Sequence, residues 1–425
     1  MATAPLTARQ EWQRHGPLAF AGMLGLSFGT IASMSFGVFM TPLQNEFGWG
    51  RAEISAALTI SAIVSTPLAP VSGALADRFG ARRIAIPGLM LAILALSAIS
   101  LVNASIYSWW LAWFCLSLVT LLTKVPVWTS AVSGAFSASR GLAIAIVLSG
   151  LGLSQVFSPT IARLLIDSYG WRGGYVGLAF GWGGVTLLMA WLFFHDMSAR
   201  RAKAAPGSPD RLLPGGLTLR QALRDSRMQR ITFAISVQAV IGAAVLSHLV
   251  PILEWSGVSR AGAAGMAAIY GMASIGGKLV VGWLADLVRR SLLPATCFAL
   301  PGIGYALLWQ GTGSAAQLSA GVFLIGLGSG AAYHMTTFLT AQYGGLRHNG
   351  KIFGMMAGLL GLGGGIGPLI AGLIFDATDS YTTLLAAGLP LSFLAGAAVL
   401  TLGPYPVFEP STEEETPIAS PGSKA

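Results

Sequence analysis

The sequence predicts an all-α membrane protein of twelve transmembrane helices, built as two parallel six-helix repeats. Three observations carry that expectation. The 425-residue chain is 54% hydrophobic and only 10% charged, against about 25% charged residues in an ordinary soluble protein. Apolar runs of eighteen or more residues recur along it, each long enough to cross a hydrocarbon core about 30 Å thick. Segments of the first half also return in the second half at one offset, 209 residues, as Gly73 does at Gly282.

The spans fall at roughly 18–43, 53–75, 84–102, 106–132, 141–166, 173–194, 230–253, 260–284, 292–310, 315–341, 350–375 and 382–402. The first run is too long for the core of a signal peptide and is kept as a span. The chain then divides into an N-terminal tail (1–17), a first bundle (18–194), a linker (195–229), a second bundle (230–402) and a polar tail (403–425) expected to be disordered. Inside the linker, "LTLRQALRDSRMQR" has helical spacing. Leu219, Leu223 and Met228 fall on its apolar face, as in a helix lying on the membrane surface.

Charge gives the orientation. Twelve spans put both termini on one side, and loops on that side carry 19 of the 25 basic residues. Basic residues mark cytoplasmic loops, so both termini are expected in the cytoplasm of a multi-pass protein of the plasma (inner) membrane. The net charge of +9 is thus a topology signal and not a nucleic-acid footprint.

The repeat runs without gaps. Pro42, Gly48, Arg51 and Ala52 return as Pro251, Gly257, Arg260 and Ala261, and "SPTIARLLID" at 158–167 meets "GPLIAGLIFD" at 367–376. An even number of spans per half inserts both copies the same way up. Parallel repeats of this kind suit two rigid bundles that rock about a site between them. Small residues mark the faces where such bundles press together: Gly152 and Pro159 in span 5, Gly361, Gly365 and Pro368 in span 11.

Buried charge points to the site. A lysine at mid-helix costs ~2.5–3.5 kcal/mol on insertion scales and usually faces water or a partner. Lys124 (span 4), Lys278 (span 8) and His334 (span 10) lie at similar depth and are expected to share one central cavity. No Asp or Glu lies deep in any span. Two cations without a protein counter-ion suit a small organic anion, whose carboxylate supplies the missing charge. Tyr270, Tyr333 and Gln155, with Trp128 and Phe28, are candidate lining residues. His334 is a candidate proton carrier, a packed structural histidine being the other reading; His248 is a weaker candidate. Two isolated cysteines, Cys115 and Cys297, suggest neither disulfide nor metal site. Walker A, HExxH and CxxC patterns are absent, so neither catalysis nor a cofactor is expected. The expected partners are the substrate anion, a proton in the case of symport, and lipid, for a monomer that binds no nucleic acid.

"GALADRFGARR" at 73–83 resembles the cytoplasmic loop motif of the major facilitator superfamily, at Gly73, Asp77, Arg78, Gly80, Arg82 and Arg83. The shorter echo "GWLADLVRR" keeps Gly282 and Asp286. The resemblance spans about residues 18–402 and implies the major facilitator fold, alternating access, and a gating role for these eight residues. A narrower resemblance, to the monocarboxylate-porter branch that includes oxalate–formate exchangers, rests on "NEFGWGRAEIS", "SRGLAIAIVLSG", "YGWRGGY", "GGKLVVGWLAD" and "GPLIAGLIFDATDSY". It implies that Lys278 binds the substrate carboxylate. The chain departs from better-known members at three points. Ser274 stands where a carboxylate often precedes that lysine, span 1 lacks a lysine, and span 11 has none in its interior. The function expected is secondary transport of a small monocarboxylate, by proton symport or anion exchange. The alternatives are an exporter of amphiphiles or drugs with the same fold, and a membrane receptor that transports nothing.

The two motif copies are unequal, since Leu287 follows Asp286 where Arg78 follows Asp77. Asp77→Asn is expected to reduce transport in proteoliposomes more than Asp286→Asn; equal losses contradict that ranking.

Overall fold

The computed structural model describes residues 7–136, 138–195, 216–287, 291–311, 314–345, 349–406 and 408. Among them the chain is helical almost throughout, and its one β-bridge, Gly216 to Gly345, is isolated. Eleven helical stretches are long and apolar enough to cross a membrane. The longest, Leu142–Phe193, holds two spans, because Gly170 takes φ 70° and ψ 173° and turns the chain between them. Glycine adopts a positive φ at little cost. Counting that stretch twice gives twelve spans.

Span 1 is Ala8–Phe47, span 2 Arg51–Phe79, span 3 Ala81–Ala98 and span 4 Ile106–Ala135. Spans 5 and 6 occupy 140–193, with a π-helical turn at Leu178–Trp182. Span 7 covers 226–255, interrupted at His248; span 8 is Arg260–Leu287, span 9 Leu292–Gln310, span 10 Ala315–Gly344, span 11 Asn349–Thr378 and span 12 Thr382–Leu400.

Three elements differ from expectation, each for a local reason. Span 1 begins at Ala8 and not near residue 18. Thr7 and Gln10 cap each other, and Glu11, only 1% exposed, accepts hydrogen bonds from the backbone N–H groups of Ala138 (3.0 Å) and Ser139 (3.1 Å) and from the Ser139 hydroxyl. That carboxylate satisfies donors at the start of span 5, where a helix lacks internal acceptors. Span 4 is broken: a 3₁₀ turn at Leu121–Thr123 leads to Lys124 in an extended conformation, and a new helix starts at Val125. Pro126 has no N–H to continue the ladder back to Leu122, and it stands in the first turn of the new helix, where none is needed. The expected surface helix is also divided. Asp225 turns its carboxylate onto the N–H groups of Arg227 (2.8 Å) and Met228 (2.9 Å), which starts span 7 at Ser226. Only Leu219–Arg224 remains as a short separate helix; Met228 is buried whereas Leu223 is exposed. Residues 196–215 of the linker and 409–425 of the tail lie outside the described residues.

Helix pairing repeats between the halves. Span 1 packs on 5 and span 2 on 4, as span 7 packs on 11 and span 8 on 10; span 3 meets 6 as span 9 meets 12. The halves meet where span 2 lies along span 11 and span 5 along span 8. Glycine permits the approach. A Cβ on Gly372 would lie 2.5 Å from the backbone nitrogen of Ala52, and one on Gly361 would lie 2.7 Å from the Thr66 hydroxyl. At Gly354, further toward the start of span 11, no atom lies within 4 Å of such a Cβ. The seam is therefore tight at the end carrying Arg51 and Asp376 and parts toward the end carrying Gly73. Beside span 5, Gly271 and Gly152 are similarly close to the other half, whereas Gly276 meets nothing. Large apolar side chains such as Leu94, Leu111, Leu188 and Trp191 remain exposed, as a lipid-facing surface requires.

Glu11→Ala should lower the thermal stability of the purified protein by about 1–3 kcal/mol, since the part-buried donors of Ala138 and Ser139 lose a charged acceptor. A thermal midpoint equal to that of the unaltered chain contradicts this.

Candidate functional site

A cavity of about 400 Å³ opens between the halves, lined by Met34 of span 1, Gln155 of span 5 and residues of spans 7, 8, 10 and 11. Span 8 presents Tyr270, Ser274 and Lys278 to it at four-residue spacing, so the three share one helical face. The Lys278 ammonium stands 5.5 Å from the centre of the Tyr333 ring, a cation–π contact. Among the described residues no carboxylate pairs with Lys278, and none lines the cavity. Gln238 donates to the Ser329 hydroxyl at 3.2 Å. The side-chain oxygen of Gln155 is buried and accepts no hydrogen bond from the protein. One cation, several polar groups and an apolar remainder make a pocket of the kind that orients a small ligand by a few polar contacts.

Four expected site residues, Lys278, Tyr270, Tyr333 and Gln155, therefore line one cavity. Lys124 does not join them. It lines a separate cavity walled by spans 1 to 4, together with Phe28. The expectation of one shared cavity fails because the break before Pro126 puts Lys124 between two helices of the first bundle. His334 is not part of the central lining either; a Cβ on Gly282 would lie 3.6 Å from its ring. Trp128 is fully buried and donates its indole N–H to the carbonyl of Thr123 (2.9 Å).

The tight end of the seam holds a polar network. Asp376 of span 11 reaches across to the first turn of span 2, accepting from the N–H groups of Arg51 and Ala52, each at 2.8 Å. A carboxylate at a helix N-terminus is favoured both by hydrogen bonding and by the helix dipole. The Arg51 guanidinium stacks 3.6 Å from the Phe375 ring centre and donates to Gln44 (3.0 Å) and to the Tyr381 hydroxyl (2.5 Å). Tyr381 in turn lies 2.7 Å from Nδ1 of the fully buried His248. The other ring nitrogen is 3.0 Å from both the Pro368 carbonyl and the Ser55 hydroxyl. A carbonyl can only accept, so Nε2 carries the proton and Nδ1 receives the tyrosine O–H. His248 thus ties both halves together.

The same end repeats the pairing in mirror form. Arg260 of span 8 approaches Asp167 of span 5 at 3.9 Å and Glu254 at 4.0 Å, and donates to the Val38 carbonyl (3.2 Å). Glu254 also accepts from Thr41 (2.9 Å). Arg51 and Arg260 are equivalent at the 209-residue offset, as are Asp167 and Asp376. Each half's aspartate meets the other half's arginine, Asp376 at the Arg51 backbone N–H and Asp167 at the Arg260 guanidinium. Sequence reasoning recorded both equivalences without joining them.

At the parted end, Arg82 donates to the carbonyls of Phe194 (2.5 Å) and Trp191 (2.8 Å), holding the last turn of span 6. Arg78 and Arg83 are exposed, Gly80 takes φ 89°, and a Cβ on Gly73 would meet Pro126 at 3.8 Å. The side chains of Asp77 and Asp286 lie outside the described residues. Of the packing residues, Gly152 faces Ile275 across the seam, Gly365 faces Ala62 and Pro159 lines a small gap between the halves.

A family model described as Major Facilitator Superfamily matches residues 22–300 and 233–423. Among curated proteins the chain is 28% identical over 392 residues to monocarboxylate transporter 11 of Homo sapiens, covering 87% of this chain and 78% of that protein. It is 27% identical over 392 residues to monocarboxylate transporter 13 of Bos taurus, covering 89% and 86%. Among solved structures it resembles a bacterial homologue of the human lysosomal transporter Spinster, with a TM-score of 0.70, 16% identity, and coverage of 90% of this chain and 94% of that one.

Arg51→Ala and Asp376→Ala should each weaken the tight end by about 0.5–1.5 kcal/mol, the range for hydrogen bonds that are not fully buried. Double electron–electron resonance between spin labels on Tyr169 and Thr382, exposed residues of the two halves, is expected to show longer distances in either variant. An unchanged distribution in both would overturn the assignment.

Proposed function

The chain belongs to the major facilitator superfamily of membrane transporters, and from that premise we propose that it carries a small monocarboxylate across the membrane by alternating access. The observation that supports this most is the Lys278 ammonium in a cavity between the halves whose lining holds no carboxylate. Removing a cation from water without a partner is costly. A substrate carboxylate offsets it and receives up to three N–H donors. Gln155, Tyr270 and Tyr333 supply further contacts, and the apolar remainder suits a short hydrocarbon body. Relatives named monocarboxylate transporters support the same substrate class.

The lopsided distribution of basic residues supports placing the Gly73 end in the cytoplasm. On that orientation the Arg51–Asp376 end is the outer gate, here closed, and the cavity opens inward. Transport then requires the outer contacts to break and the arginine-rich loop motif, with Asp77 and Asp286, to close the inner end. The eight motif residues and the glycine faces of spans 5 and 11 act in that rocking step.

The same charge argument favours exchange over net transport. With substrate bound, Lys278 is neutralised; in the empty carrier it crosses the membrane interior as a bare cation. Reorientation of the empty form is therefore the slow step. An exporter of lipophilic cations is disfavoured, because such a ligand would meet Lys278 with like charge.

In proteoliposomes, Lys278→Ala should reduce uptake of labelled monocarboxylates at least tenfold, with Lys278→Arg retaining part of it. Unlabelled carboxylate on the far side should accelerate uptake several-fold in the unaltered protein. Normal uptake by Lys278→Ala, or transport of a lipophilic cation alone, would contradict the proposal.

A further inference from the structure

The cavity that holds Lys124 is distinct from the central one. It has a volume of about 60 Å³ and is walled entirely by the first half, through spans 1, 2, 3 and 4. Lys124 caps the helix Val125–Ala135 without a side-chain hydrogen bond. That is the wrong end for a cation, because the helix dipole is positive there. Among the described residues no carboxylate pairs with this lysine. A second orphan faces the same problem. Trp113 lines the cavity, is 1% exposed, and its indole N–H has no acceptor. An indole nitrogen only donates, so its need is for an acceptor.

The nearby hydroxyls do not meet that need. Ser117 donates to the Trp113 carbonyl (2.6 Å), Thr120 to the Ser117 carbonyl (3.1 Å), and Ser61 is paired with Ser117 at 2.5 Å. Ser33 and Ser65 also line the cavity, the first exposed and the second half-buried. The cavity thus gathers an ammonium with no carboxylate beside it, a buried indole N–H with no acceptor and two further hydroxyls, all able to donate, next to a helix N-terminus. A water needs at least about 10–15 Å³, so the space takes an ion of only a few heavy atoms. We propose that the Lys124–Trp113 cavity is a second anion site, which holds a compact monovalent anion, either a halide or a one-carbon carboxylate, inside the first bundle. It is independent of the central site: the bound ion neutralises Lys124 and holds the break in span 4 while the halves rock.

The test is thermal unfolding of the purified full-length protein with sodium bromide or sodium formate, replaced by sodium gluconate to keep ionic strength fixed. Gluconate is too large to enter. The expected result is a saturable rise in the midpoint with bromide, formate or both; the stronger responder identifies the halide or carboxylate source. Lys124→Met and Trp113→Phe should raise the half-saturating concentration at least tenfold, whereas Lys278→Ala leaves it unchanged even if it abolishes uptake. No anion-specific rise in the unaltered protein, or a rise lost in Lys278→Ala and kept in Lys124→Met, would overturn the proposal. If Lys124→Met does not fold, anomalous diffraction from bromide-grown crystals of the unaltered protein decides: a peak between Lys124 and Trp113 supports the site, and its absence overturns it.

Discussion

The rest of the molecule depends on the seam where span 11 presses on span 2. Backbones in lipid gain little from apolar burial against one another, so association rests on close packing and on polar contacts. Both are present at one end. Gly372 brings the backbone of span 11 against Ala52, and Asp376, one turn further on, caps the helix it has just met. The cap satisfies first-turn N–H groups that have no acceptor within their own helix. It is also breakable, since those groups can take water when the ends separate. A contact of this kind can be made and unmade, which a rocking molecule needs and a fused core would forbid.

Electrostatics determines what lies beneath the seam. Each half-buried cation has a different solution. Arg51 is held by aromatic faces, a glutamine and a tyrosine, with the opposing carboxylate on its own backbone. Arg163 and Arg260 share Asp167. Lys278 has an aromatic ring and an open cavity. Among the described residues neither Lys124 nor Lys278 pairs with a carboxylate, and both stand beside a cavity. On the proposed function, the arginine contacts at the end of the bundle belong to the gate and the lysine beside the central cavity to the binding site.

Much of this was legible in the sequence. Composition and the 209-residue offset gave the twelve spans and their duplication, because hydrophobic length and self-similarity are properties of the chain alone. Lys278 was legible as a charge inside an apolar run, whereas Tyr270 and Tyr333 were only candidates, and that they line the same cavity follows from packing. Lys124 was misplaced because Pro126 sits in a run apolar enough to read as one helix, and periodicity does not register a local break. The Arg51–Asp376 contact joins residues 325 apart. Equivalence at the offset showed that the two arginines correspond, but not that each meets the other half's aspartate; that follows only from packing span 2 on span 11 and span 5 on span 8. The His248 network was not legible for a similar reason, since all of its partners come from distant segments.

The central claim is that a carboxylate completes Lys278 in the cavity between the halves. A structure of the protein bound to the monocarboxylate it transports fastest tests it most directly. The account predicts a carboxylate oxygen about 2.7–2.9 Å from the Lys278 ammonium, with the body of the ligand between Gln155 and Tyr333. A bound substrate whose carboxylate lies outside this cavity, away from Lys278, would contradict it.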